Sequence, residues 1–329
     1  MVVVERPVPV PGPGEVLVRI ASVGVCGSDV HYYEHGRIGR YVVERPMVLG
    51  HEAGGTVVAR GPEGGPADRG AQVGQRVSIE PGVPCRQCAQ CLSGHYNLCP
   101  DVAFLATPPH DGTFCEYVAV PGAFAHPVPD AVGDDAAALL EPLSVGIWAC
   151  RRAQVSLGSR VLITGAGPIG LLAGQAAIAS GAAEVVITDV NVTRLELAGR
   201  LGLSPLDVSA ASLTETGYTP DVLLECSGLP GPSAEAIGVV ARAGRVVLIG
   251  MGGDVLPLPL PVVQERELWL TGAFRYANTW PTAIDLVAAG RVDLDGLVTG
   301  HFALAEAEQA LTAARRDPTS VKPVVRPGD

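Results

Sequence analysis

The amino-acid sequence predicts an α/β protein in two parts, a β-rich part and a doubly wound parallel sheet. Three observations predict it. Up to about residue 144, short apolar runs are broken by Gly and Pro. From 145 to 275, β-branched runs alternate with Ala-rich stretches, and a glycine-rich turn joins the first run to the first such stretch. Alternation of this kind implies crossover units packed on a buried parallel sheet.

The elements follow in chain order. Runs at 15–20, 55–58, 75–79 and 114–120 read as strands of an all-β part with irregular loops. Runs at 160–164, 184–189, 221–225, 245–250 and 267–271 read as the parallel strands. Helices at 171–180, 194–201 and 233–241 connect them. Two more helices, 280–289 and 305–315, and a strand at 321–325 complete the chain. Only 31 residues lie between Asp189 and Asp221, so a second helix there, at 211–219, must be very short or absent. No charge occurs from Val161 to Ala183, a length that suits a membrane span. Pro168 and five glycines within it favour a strand, a turn and a helix instead.

Composition narrows the function. Gly (41) and Pro (28) make up roughly a fifth of the 329 residues, against about 12% in average usage. No G-x-y period runs through the chain and 47% of residues are hydrophobic, which excludes collagen and disorder. A net charge of −11 argues against a nucleic-acid or anionic-membrane partner. Lys322 is the sole lysine and no G-x-x-x-x-G-K-[ST] occurs, which excludes a P-loop and leaves one candidate for Schiff-base chemistry. The start, MVVVERPVPVPGPG, lacks a secretory pattern. The eight cysteines are therefore expected as metal ligands or buried thiols in the cytoplasm.

The most specific signal is Cys85-x-x-Cys88-x-x-Cys91-x7-Cys99. Four thiolates this close suit a closed tetrahedral zinc site, which is structural because no position stays open. An iron–sulfur cluster is the alternative for the same four ligands. The second signal is Gly165-x-Gly167-x-x-Gly170, with Pro168 and Ile169 inside it, between a strand and a helix. Such glycines let backbone approach a pyrophosphate at a helix N-terminus. Asp189, 19 residues past Gly170 at the end of the next strand, would accept from both ribose hydroxyls and so select NAD over NADP. Arg194, five residues on, could instead pair with a 2′-phosphate. In the β half, Cys26, His51 and Glu52 offer one thiolate, one imidazole and one carboxylate, a set that would hold zinc with a place for substrate, the alternative by residue type alone being a satisfied loop histidine and a solvated glutamate.

Several segments then carry a resemblance. CGSDVHYYEHGRIG (26–39), PMVLGHE (46–52), ATPP (106–109), EPLSVGI (141–147), GAGPIG (165–170) and FRYANTWP (274–281) occur in this order. From about residue 5 onward the chain resembles the zinc-dependent medium-chain alcohol dehydrogenases, in their sorbitol/xylitol (polyol) branch. The resemblance implies a GroES-like β-rich catalytic domain, 1–144 and 276–329, with a structural zinc lobe at about 81–100. It implies a Rossmann domain over 145–275. Cys26, His51 and Glu52 match catalytic zinc ligands, and Glu141 a carboxyl beside the metal or on it. Ser28 and His31 match a proton relay; Tyr32, Phe104, Glu141, Arg275 and Tyr276 match substrate-pocket positions. Gly165, Gly167, Pro168, Ile169, Gly170, Asp189 and Arg194 match nucleotide contacts. Ile249, Gly250 and Met251, with Ala273, Phe274 and Arg275, match the nicotinamide end. Cys85, Cys88, Cys91 and Cys99 match the structural zinc lobe.

The implied activity is oxidation of a secondary hydroxyl of sorbitol or xylitol to the 2-ketose, with two zinc ions and NAD, in a homotetramer or dimer. The alternatives are a relative acting on threonine, butanediol or simple alcohols, and a non-catalytic nucleotide-binding relative. The family usually carries about a dozen further residues forming a first strand, whose absence would expose a neighbouring sheet edge.

Overall fold

The computed structural model describes residues 1–63, 70–253 and 255–328. The chain forms two compact units. One comprises Met1–Glu141, Trp280–Ala288 and Leu294–Asp329; the other comprises Pro142–Thr279 and Ala289–Asp293.

The first unit is built on a seven-stranded sheet. Its order is Val298–Ala303, Lys322–Arg326, Glu15–Gly24, Glu52–Arg60, Arg76–Ile79 and Ala125–Pro127, with Tyr117–Pro121 paired to Glu15–Gly24. Glu15–Gly24 is buried along nearly its whole length because it is wedged among three partners. Residues 15–19 face Tyr117–Pro121, and Val23 and Gly24 face Lys322–Arg326. Val16, Val18, Val57, Val77 and Ile79 form the core beneath it. Val298–Ala303, Ala125–Pro127 and Tyr117–Pro121 each pair with a single strand, and residues 1–14 join no strand.

The strand expected at 55–58 runs from Glu52 to Arg60. Gly54 and Gly55 belong to it because neighbours leave no room for side chains: a Cβ on Gly55 would lie 2.2 Å from the Arg19 carbonyl oxygen. The strand expected from 114 begins at Tyr117. The N–H groups of Gly112, Thr113 and Phe114 instead bond the carbonyls of Val48, Gly50 and Leu49, holding the loop that carries His51. The helix expected at 305–315 is divided into Leu304–Glu306, Ala307–Leu311 and Ala313–Arg316. Thr312 breaks it, its hydroxyl donating back to the Glu308 carbonyl at 2.9 Å.

The second unit has six parallel strands. Their order is Ser204–Asp207, Glu184–Asp189, Arg160–Thr164, Val222–Glu225, Arg245–Leu248 and Trp269–Gly272. This is the doubly wound order 3-2-1-4-5-6, with its switch point between Arg160–Thr164 and Val222–Glu225. Val161, Leu162, Ile163, Leu223 and Leu224 are almost wholly buried, which explains their unbroken apolar character. The charge-free stretch is the strand Arg160–Thr164, a turn and the helix Pro168–Ala179. Among the described residues no helix is long and apolar enough to cross a membrane. The short helix at 211–219 is one 3₁₀ turn, Leu213–Thr216.

Gly55→Ala should destabilise the first unit by about 1–3 kcal/mol, because backbone and not a flexible side chain must yield. Urea denaturation checks this, and an unchanged midpoint would refute it.

Candidate metal centres and dinucleotide site

Cys26 caps the helix Gly27–His35 with extended backbone (φ −97°, ψ 150°), which turns it out of the preceding strand. His51 and Glu52 follow Gly50, whose φ of +85° favours glycine and whose Cβ would strike the Phe114 ring at 2.8 Å. The donor atoms of Cys26, His51 and Glu52 lie within 4.8 Å of one another. A thiol, an imidazole and a carboxyl are a zinc donor set with a position left for substrate, so the residues present fit the metal.

Asp29 is fully buried behind this group. One of its oxygens accepts from the Gly50 N–H at 2.8 Å; the other accepts from the Cys26 N–H at 3.3 Å and lies 3.5 Å from His51 Nδ1. Burial opposes a charge on His51, but Asp29 and Cys26 outweigh it and push its pKa well up. Asp29 thereby orients the imidazole, as partners behind metal-binding histidines do.

Lys322, 2% exposed, donates from Nζ to both carboxyl oxygens of Glu52 at 2.8 Å and to the Val25 carbonyl at 3.0 Å. All three ammonium donors are used. Burial disfavours its charge, yet Glu52, Cys26 and Glu141 together raise its pKa. Lys322 is therefore a counter-charge, which removes it as an amine for Schiff-base chemistry. Gly24 makes room, since a Cβ there would lie 2.1 Å from Glu52 Oε2. Glu141 is buried in the helix Asp134–Ala153 and does not join the three-donor group. Asp29 stood in the quoted 26–39 run without a role, and a lone charge in the apolar strand around Lys322 was the signal for the ion pair.

Ser28, half-buried, and His31, exposed, sit three residues apart on the helix Gly27–His35, hence on one face. Tyr32 and Phe104 are buried in the same unit, with the Phe104 ring 5.6 Å from that of His51. Arg275 and Tyr276 belong to the other unit; Tyr276 is buried, and the Arg275 guanidinium lies 4.9 Å over the Phe274 ring.

Cys85, Cys88, Cys91 and Cys99 also bring their sulfurs within 4.8 Å of one another, with Cys88 and Cys91 at 3.4 Å. Backbone N–H groups of Gln87 and Cys88 hold the Cys85 thiol down at about 7, while burial and the adjoining thiols push Cys91 up to about 12. All four are free of disulfides. Four sulfur donors leave no open position, which suits structural zinc. Outside the ligands, the Tyr96 hydroxyl donates to Glu80 Oε1 at 2.7 Å, and His126 Nε2 lies 2.9 Å from Glu80 Oε2. His126 stacks on Trp280 at 5.4 Å, so the lobe is fastened to the sheet.

In the second unit, Gly165 (φ +85°), Gly167, Pro168 and Ile169 form the turn into the helix Pro168–Ala179, with Gly167 as its cap. A Cβ on Gly170 would lie 1.9 Å from the Gly165 carbonyl oxygen, so only glycine closes this turn. Asp189 Oδ2 accepts from the Ala166 N–H at 2.7 Å, and its Oδ1 from those of Val190 and Asn191 at 2.8 and 2.9 Å. Its carboxyl is thus held beside the turn. Arg194 lies half-buried in the helix Val192–Arg200, capped by Asn191. Ile249 and Gly250 are half-exposed; Met251 and Phe274 are exposed and Ala273 half-exposed, all in rim loops.

Lys322→Met should cost about 3–5 kcal/mol in zinc-free protein, because it leaves the Glu52 carboxyl buried without its counter-charge. Glu52→Gln combined with Lys322→Met should recover much of that loss in urea denaturation. Cys99→Ser should reduce bound zinc from two ions per chain to one, read by elemental analysis, and lower the melting temperature.

Comparison with known proteins gives the family and the fold. Residues 12–130 match the family described as Alcohol dehydrogenase GroES-like domain, and 168–289 match Zinc-binding dehydrogenase. Sorbitol dehydrogenase of Gallus gallus is 44% identical over 320 residues, covering 94% of this chain and 89% of that one. An Escherichia coli oxidoreductase of unknown specificity superposes with a TM-score of 0.92 at 33% identity, covering 98% and 94% of the two chains. An alcohol dehydrogenase from E. coli CFT073, solved with NADH, superposes at 0.89 with 30% identity, covering 98% and 95%. The chain belongs to the zinc-dependent medium-chain alcohol dehydrogenases, in their polyol branch.

Proposed function

We infer that the protein oxidises a secondary hydroxyl of a polyol, sorbitol or xylitol, to the 2-ketose, passing hydride to NAD⁺. The observation that carries this is the Cys26, His51 and Glu52 donor group, half-buried at Cys26 and buried at the other two, whose three donors would leave a bound zinc a place for the substrate oxygen. The sorbitol dehydrogenases at about 44% identity support the polyol. On this reading the first unit is the catalytic domain and the second the dinucleotide-binding domain.

Cys26, His51 and Glu52 would hold the catalytic zinc, and Cys85, Cys88, Cys91 and Cys99 the structural one. When bound, zinc supplies a Lewis acid that acidifies the substrate hydroxyl, and NAD⁺ supplies the hydride acceptor. Asp29 keeps the His51 ring in place, and Lys322 balances the Glu52 charge. The Ser28 hydroxyl takes up the released proton and hands it toward exposed His31, which faces solvent. Phe104, packed near His51, excludes water from the reacting centre. In the first unit, Tyr32 and Glu141 would provide a donor and an acceptor of the kind that several hydroxyls require. The 165–170 turn receives the pyrophosphate, and Asp189, already anchored by three N–H groups, accepts from the ribose and repels a 2′-phosphate. Eight free thiols support a cytoplasmic setting, and the family resemblance a homotetramer or dimer.

Purified, zinc-replete protein should form NADH from sorbitol or xylitol with NAD⁺, and far less with NADP⁺. Cys26→Ser should abolish turnover while NADH still binds. Preference for threonine, butanediol or ethanol would replace the polyol with another alcohol, and silence on all of them with NADH bound would make the chain a nucleotide-binding protein.

A further inference from the structure

Glu225 is 2% exposed and closes the strand Val222–Glu225, in register with Thr164 of Arg160–Thr164. These strands flank the switch point, outside whose carboxyl ends such sheets bind their ligands. A buried carboxyl there must find donors. Its Oε1 accepts from Thr164 Oγ1 at 3.1 Å, Ser227 Oγ at 2.5 Å, and the N–H groups of Ser227 and Gly228 at 2.9 and 3.0 Å. Its carbonyl oxygen accepts from the Ile249 and Gly250 N–H groups at 2.8 and 2.9 Å. One residue thus ties together the chain entering the 165–167 turn and the loops 226–228 and 249–252. Those loops touch backbone to backbone, since a Cβ on Gly250 would lie 2.3 Å from Gly228 N.

We propose that Glu225 is a positioning residue for the dinucleotide, its carboxyl Oε1 fixing the chain entering the 165–167 turn against the 226–228 loop, on which its own backbone carbonyl seats the 249–250 segment at the rim of the switch-point crevice. This rests on the NAD reading above. Glu225 reaches the cofactor only through the loops, so its loss should weaken cofactor binding and leave the chemical step alone. Because Oε1 is the acceptor, Gln in its place keeps the arrangement, whereas Ala leaves four donors without it.

The test compares wild type, E225A, E225Q and T164V in full-length, zinc-replete protein, by NADH titration and by steady-state kinetics. E225A should raise both the NADH Kd and the KM for NAD⁺ about tenfold, with kcat within about twofold. E225Q should stay within about threefold of wild type, and T164V, losing one donor, should rise about threefold. Wild-type affinity in E225A, or an E225Q as weak as E225A, overturns the proposal. Should E225A fail to fold, T164V decides, and unchanged affinity there overturns it. Wild type that binds no NADH would instead refute the NAD reading, and this proposal with it.

Discussion

Glu52 and Lys322 meet in the buried interior of the first unit, and the charge of the carboxyl offered to a metal is balanced by that meeting. Two buried charges are tolerable only when paired with good geometry, and this pair has both carboxyl oxygens and all three ammonium donors engaged. Glu52 opens the strand Glu52–Arg60 and Lys322 opens Lys322–Arg326, 270 residues later. The sheet seats both beside Glu15–Gly24, whose end delivers Cys26. The order of strands is therefore also the order that brings a thiol, an imidazole and a carboxyl together.

Glycine is the second constraint, used where backbone must come close. Gly24 leaves space for the Glu52 carboxyl, and Gly170 for the Gly165 carbonyl. In both units a side chain would occupy the volume that a functional group or a turn requires. The charges at the two sites are handled alike, by fixed donors: Lys322 on Glu52, N–H groups on Asp189, and hydroxyls with N–H groups on Glu225. Such groups are in place before a ligand arrives, which lowers the ordering that binding costs.

Much of the fold could be read from the chain because its signals are local. The change of rhythm near residue 145, the four-cysteine spacing and the Gly165–Gly170 turn each lie within a short window. What could not be read depended on distant partners. Gly54, outside the expected strand, joins it only when Ser22 pairs with it and Ala137 crowds it, and Phe114 reads as the start of a strand until it bonds Leu49. Asp29 acquires a role only when Gly50 and His51 are folded against it, and Glu225 only when Thr164, 61 residues away, lies opposite.

The sequence by itself determined the α/β class, the zinc-type donor residues and the glycine turn, because spacing and residue chemistry act over a few residues. Only the tertiary structure decided which charges are buried and what balances them. Lys322 reads as the one candidate for Schiff-base chemistry until the last strand pairs beside the first. Burial then makes its charge matter, because a charge removed from water must be met by an opposite charge or by fixed donors.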